Sequence, residues 1–368
     1  MSARLPRAVE WGLLPALNLA AALLVSGLVV LAVGEDPLRA LGLLIEGAIG
    51  YPEAIGYTLY YATNFIFTGL AVAIAFHAGL FNIGGEGQAY VGGLAAALIC
   101  LGLDALLPGV FLLPLAIVAA AAGGAAWAAI PGWLQARRGS HVVITTIMFN
   151  FIAAAAITWL LVNVLIKPGQ QSPETRHFAE FAWVPTAQAV LAGLGVAMPR
   201  SPLNLSFLLA LACAGMVWTF LWRTRWGYAL RATGQNEAAA IYGGIDTGRV
   251  TVIAMLISGA LAGLVAVNEV LGVQHRLVLN FVGGAGFVGI AVALMGRNHP
   301  AGICLAALLF GALYQGGAEL AFEMPDLTRD MVVAIQGLVI LFCGALERLF
   351  RGPAERFFAV RAPREEPR

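Results

Sequence analysis

The chain has 368 residues, 60% of them hydrophobic and 11% charged, with a formal net charge of +1 and a mean hydropathy of +0.85. Soluble globular domains carry roughly a quarter of their residues as Asp, Glu, Lys and Arg, so this balance excludes a soluble fold and specifies a polytopic membrane protein. The arginines are spread over segment ends and form no single patch, so the net charge points to no nucleic-acid partner. Cys100, Cys213, Cys304 and Cys343 stand singly, as do the five histidines, without the spacing of a disulfide framework or a metal site.

The apolar runs are about 18 to 25 residues long and do not alternate with polar residues, which predicts spanning helices and not barrel strands. They fall near 11–33, 57–76, 87–103, 109–134, 142–165, 204–222, 251–272, 283–296, 300–320 and 331–347. The expectation is an all-α fold of about ten transmembrane helices. Arg4 and Arg7 precede the first run, but Trp11 to Val33 exceeds the about 7 to 15 residues of a secretory signal core, so it reads as a retained anchor. With the N-terminus inside, 15 of the 21 Lys and Arg residues fall on inner segments and 6 on outer ones, which places both termini in the cytoplasm.

The first break in the apolar pattern is Gly79-Leu80-Phe81-Asn82-Ile83-Gly84-Gly85-Glu86-Gly87-Gln88. Glycine at this density does not sustain an isolated helix, so the backbone turns or interrupts a helix here. Irregular backbone at membrane depth must be buried in protein or line a wet cavity. Asn82, Glu86 and Gln88 are therefore candidates for a solute pathway or for bonds that lock neighbouring helices. The alternative for Glu86 is the cytoplasmic headgroup zone.

Val282-Gly283-Gly284-Ala285-Gly286-Phe287 echoes this cluster. The two clusters open runs of opposite direction, as expected of an inverted five-plus-five repeat with glycine-broken helices; close packing of small residues is the other reading. Between them, the run from Arg138 to Ile152 places Thr146, Phe149, Asn150 and Ala153 on one helical face. An amide beside an aromatic suits a heterocyclic or sugar ligand, and suits helix-to-helix bonding equally. Asn64, and Asn268 with Glu269 towards the outer end of the seventh run, complete the candidate pathway residues; for the last two, headgroup contact is the alternative.

The polar loop Arg223 to Arg249 lies between two long apolar runs. A short helix is expected from near Asn236, with Glu237 in its first turn, to Gly243-Gly244. Glu237-Ala238-Ala239 followed by Gly243 resembles the EAA-x3-G pattern of the cytoplasmic coupling loop of ABC importer permeases, which seats in the ATPase. Met255-Leu256 depart from the Leu-Pro of that pattern, and an ordinary interhelical loop is the bland alternative.

FNIGGEGQ at 81–88, RGSHVVITTIMFNFIA at 138–153, LRATGQNEAAAIYGGI at 230–245 and GFVGIAVALMGRNHPAGI at 286–303 together resemble the permease subunits of ABC importers for nucleosides and simple sugars. That branch is related to ribose and branched-chain amino-acid permeases. The extended outer segment 166–203 resembles the larger permease of a two-permease nucleoside system.

The resemblance implies one transmembrane permease domain over 1–350, a coupling loop at 223–249, a polar cytoplasmic tail at 351–368 and a prokaryotic plasma membrane. It implies as partners a cytoplasmic ABC ATPase, a second homologous permease in a heterodimer or homodimer, and an extracellular solute-binding protein. Gly234, Asn236, Glu237, Ala238, Ala239, Gly243 and Gly244 would couple to the ATPase. No cofactor is expected on this chain; ATP and Mg would belong to the partner. Independently, a Walker A loop requires a lysine, and the only lysine is Lys167, on the expected outer side. A self-contained secondary transporter is the rival reading, with Glu86 and Glu269 as its candidate coupling acids. A membrane scaffold or channel would need no helical knob on an inner loop.

Overall fold

A computed structural model describes residues 14–342 and Val9. Cys343, the end of the run near 331–347 and the 351–368 tail lie outside the described residues. In chain order the helices are α1 (Leu14–Val33), α2 (Pro37–Ile49), α3 (Pro52–His77), α4 (Gly85–Leu103), α5 (Gly109–Arg138), α6 (Val142–Asn163), α7 (Ala187–Gly193), α8 (Ser206–Arg223), α9 (Arg225–Gln235), α10 (Glu237–Tyr242), α11 (Thr247–Gly263), α12 (Ala285–Met295), α13 (Pro300–Glu323) and α14 (Arg329–Ile340). A 3-10 turn covers Glu180–Ala182, and the chain after α11 widens into a π-helix at Val267–Gln274.

Among the described residues, eight helical stretches are long and apolar enough to cross a membrane: α1, α3, α4, α5, α6, α8, the run Thr247–Gln274 and α13. The run near 283–296 differs from expectation. Its helix, α12, has 11 residues, or about 16 Å of rise against a hydrocarbon core of about 30 Å, so it does not cross alone. The stretch between the first two predicted runs, given no helix from the sequence, holds α2. Asp36 caps it by accepting from Leu38 N at 2.9 Å, and Pro37 occupies the first turn, where a missing N–H costs nothing.

The described residues fall into two compact units. One contains α1, α2, the chain from Leu313 to the end of α13, and α14. Its core is Val30, Ala40, Leu320, Met324, Leu327, Val332 and Ile335. An apolar groove beside that core is lined by α1 and α2 residues with Leu320 and Ile335.

The other unit, Tyr51–Ala312, holds the glycine clusters and the polar loop. Its centre is α3, buried almost continuously from Ala62 to Ala75 and packed against α8, α11 and α12. Lipid tails are as apolar as leucine, so such helices associate through close packing and polar bonds. The α5–α11 seam shows this: a Cβ on Gly124 would lie 2.2 Å from Gly259 O, and one on Gly263 would lie 2.3 Å from Ala120 O.

Candidate transport and coupling sites

The polar loop is built by successive local caps. The Thr224 hydroxyl accepts from Gly227 N at 3.1 Å and donates to Phe220 O at 2.6 Å, ending α8 and starting α9. Gly227, Leu230 and Thr233 form the buried stripe of α9. Asn236 is extended, and its side-chain oxygen accepts from Ala239 N at 3.0 Å to start α10. Glu237 occupies the first turn, Gly243 follows the last, and Gly244 takes a left-handed φ of +79°. The expected short helix is thus present with its expected ends.

Only Ala240 of α10 is buried, while Ile241 is 58% and Tyr242 96% exposed. Of the candidate coupling residues, Asn236, Glu237, Ala238, Ala239, Gly243 and Gly244 share this knob. Gly234 lies on α9, against the end of α3. A Cβ there would lie 2.3 Å from His77 O, and Gly79, at φ +74°, faces it. Around this joint, Trp222 meets His77 at 5.4 Å and His299 at 5.1 Å, and the Arg231 guanidinium lies over the Trp222 ring at 6.0 Å.

The two glycine clusters touch each other. The Glu86 carboxylate accepts from Gly284 N and Gly286 N, each at 2.9 Å, capping α12 from the first turn of α4. A Cβ on Gly286 would lie 2.2 Å from Glu86 N, so only glycine permits this crossing. Gly283 and Gly284 both take left-handed backbone, with φ of +58° and +84°.

Asn82 and Gln88 pair amide to amide at 3.0 Å in both directions. Asn82 also donates to Ser258 Oγ at 2.8 Å and accepts from Gly84 N at 2.8 Å. Asn150 accepts from Gly87 N at 2.8 Å and donates to Ile83 O at 2.9 Å, so its amide splints the broken start of α4. Phe149 is half-buried and packs against Trp127, centroids 5.2 Å apart.

Asn64, Asn268 and Glu269 meet in a separate node on the π-helix. Glu269 accepts from Tyr60 Oη at 2.6 Å and from Asn64 Nδ2 at 2.5 Å. Asn268 donates to Asn64 Oδ1 at 2.9 Å and accepts from Asn204 Nδ2 at 2.9 Å and Ser206 Oγ at 2.8 Å. The wider turn places consecutive polar side chains against α3 and the start of α8, a use to which π-bulges are often put. Asn268 and Glu269 are therefore buried inside the unit.

Sequence reasoning missed Tyr60, Asn204 and Ser206. The readable signals were Tyr60 and Asn64 at i and i+4, and an Asn-x-Ser turn opening α8, in which Asn204 accepts from Ser206 N at 3.0 Å. It also missed Ser258 and the Gly79 joint.

At the C-terminal end of α4, Arg176 grips Asp104 through two bonds of 2.6 and 2.9 Å. The guanidinium holds that carboxyl below the usual carboxylate range. Arg276 pairs with Glu174 at 3.1 Å, and Glu174 bridges to Val278. These bonds tie the 166–203 segment to the chain between the π-helix and α12.

The sequence is similar to those of several known transport permeases. The guanosine ABC transporter permease protein NupP of Bacillus subtilis is 36% identical over 90% of this chain and 92% of its own length. The glucose ABC transporter permease protein TsgB13 of Haloferax volcanii is 34% identical over 89% and 86%. The nucleoside ABC transporter permease protein NupB of Lactococcus lactis is 30% identical over 88% and 89%. A second permease from each of B. subtilis and L. lactis, NupQ and NupC, matches at 27% and 26%. Residues 54–344, the stretch that holds the polar loop and both glycine clusters, match the family described as branched-chain amino acid transport system / permease component, and the chain belongs to that family of multi-pass membrane permeases.

Proposed function

We propose that this chain is the larger transmembrane subunit of an ATP-driven importer, moving nucleosides or related simple sugars across a prokaryotic inner membrane. The observation that carries this reading is the knob of α9 and α10, which lies between two spans and presents Ile241 and Tyr242 outward. Exposed aromatic and aliphatic residues on a short, capped helix are what a partner's cleft would take up. The solute class rests on the guanosine, nucleoside and glucose permeases among the relatives.

In this reading a separate ATPase binds ATP and Mg, and this chain contributes no catalytic residue. The occurrence of two matching permeases in each of two organisms supports a heterodimer with a second permease. An extracellular binding protein docks over 35–56 and 166–203. The arginine bias supports cytoplasmic termini, and the crossing of the glycine starts of α4 and α12 supports the five-plus-five repeat of ten membrane segments. Asn82, Glu86, Gln88, Asn150 and the Asn64–Asn268–Glu269 node brace the broken helices that shape the pathway.

Purification of this chain with its neighbouring permease and ATPase, followed by uptake of guanosine and of glucose into proteoliposomes, tests the proposal. The expected result is a stable complex with uptake that requires ATP. Uptake by this chain alone, driven by an ion gradient without ATP, would replace it with the secondary-transporter reading.

A further inference from the structure

The position of Glu86 follows from what it touches. The turn after α12 meets one end of α3, where His77 Nε2 lies 3.1 Å from Asn298 O. Thr68 lies nine residues before His77 on α3, about 14 Å along the axis, and a Cβ on Gly289 would lie 2.4 Å from its Cβ. Gly286 is about one turn further from that end, which puts its contact with Glu86 near the middle of a hydrocarbon core of about 30 Å.

From His77 the chain runs back into the membrane through residues 78–84 without helix. The Asn82 amide bonds Ser258 Oγ, which donates to Ala71 O at 2.6 Å, six residues before His77, so the segment climbs alongside α3. Near its start Gly79 contacts Gly234 of α9, and at its other end α4 begins, with Glu86 in the first turn. Seven non-helical residues thus join the contact with α9 to the helix crossing.

Resting on the importer reading above, we propose that Glu86 is a positioning residue of the transport cycle: its carboxylate locks the mid-membrane crossing of α4 and α12, and residues 78–84 carry movement of the coupling loop to that lock. Two facing helix starts present unsatisfied N–H groups and positive dipole ends to one another. A carboxylate on one of them joins the pair and, when drawn away, releases it. Glu86 is therefore a latch and not a solute ligand.

The test uses the full complex of both permeases, ATPase and binding protein in proteoliposomes. In Glu86→Ala, loss of two charge-assisted hydrogen bonds should lower uptake by about tenfold or more while ATP hydrolysis continues. Sodium formate, small enough to fill the vacated cradle, should restore uptake in Glu86→Ala and leave the wild type unchanged. Wild-type uptake in Glu86→Ala, or impaired uptake that formate does not restore, would overturn the proposal. If Glu86→Ala does not assemble, Glu86→Asp, one methylene shorter, should assemble and show uncoupled hydrolysis; full coupling in that variant would equally overturn it. Absence of ATP-dependent uptake in the wild-type complex would instead defeat the importer reading itself.

Discussion

Glycine serves opposite ends in the polar loop and at the helix crossing. At the crossing, backbone meets backbone, and a methyl group on Gly286 would lie 2.2 Å from the Glu86 nitrogen. In the loop, a methyl group on Gly243 would meet only Ala240 O at 3.4 Å and Ala239 O at 3.5 Å, atoms of its own turn. The first glycine answers to a contact within the chain, whereas the second leaves a space that this chain does not fill. Substitution of the crossing glycine should therefore register as lost stability, and substitution of the loop glycine as lost function in a folded protein.

The largest effect is expected from Gly286→Ala, because the atoms in the way are backbone that cannot rotate aside. Overpacking of this kind costs about 3 kcal/mol or more, read as a fall in the yield and thermal midpoint of the purified complex. Gly85→Ala, whose methyl would sit 3.4 Å from Gly286 O, should stay close to wild type. Equal behaviour of the two variants would break the distinction at its first point.

Gly243→Trp sharpens the other side. Its thermal midpoint should shift by no more than the equivalent of about 0.5 kcal/mol, as for surface substitutions elsewhere. Solute-stimulated ATP hydrolysis and uptake should fall by about tenfold, since a seat overfilled by 1 to 3 kcal/mol loses roughly that much. Normal coupling in this variant would remove the loop from the mechanism.

Asn150→Ala probes the crossing more gently. It strands Gly87 N–H and Ile83 C=O, and unmade buried bonds cost about 1 to 3 kcal/mol. Stability should drop while solute selectivity stays unchanged. Changed selectivity at full stability would make Asn150 a ligand and move it to the functional side of the comparison.

The smallest effect lies at the Arg176–Asp104 pair. Because Arg176 depresses the Asp104 carboxyl, the pair's stabilisation is full above the ordinary carboxylate pKa and fades as pH falls through the lowered value. Partly exposed pairs contribute about 1 kcal/mol or less. Thermal midpoints of wild type and Arg176→Met should differ slightly at neutral pH and converge on acidification; a gap that widens in acid would contradict this.

What was legible in the sequence follows from how local each feature is. The ends of α10 were readable because Asn236 caps a nitrogen three residues away and Gly244 supplies its own left-handed turn. The glycine clusters were readable as broken helix for the same reason. The partner of Glu86 was not: it lies 198 residues away in sequence, at Gly284, and no local rule names it. The Glu269 node was hidden twice, since a π-helix changes which residues share a face and Tyr60 is 209 residues distant. α2 was passed over because its 13 residues are too few for a span, although Asp36-Pro37 marked its start.

The bridge between Glu174 and Val278 ties the 166–203 segment to the chain that leads into the second glycine cluster. Val278 precedes Gly283 by five residues, and Gly79 precedes Glu86 by seven. Few residues, and no complete helix, thus separate the crossing of the two glycine clusters from the 166–203 segment on one side and from α9 on the other.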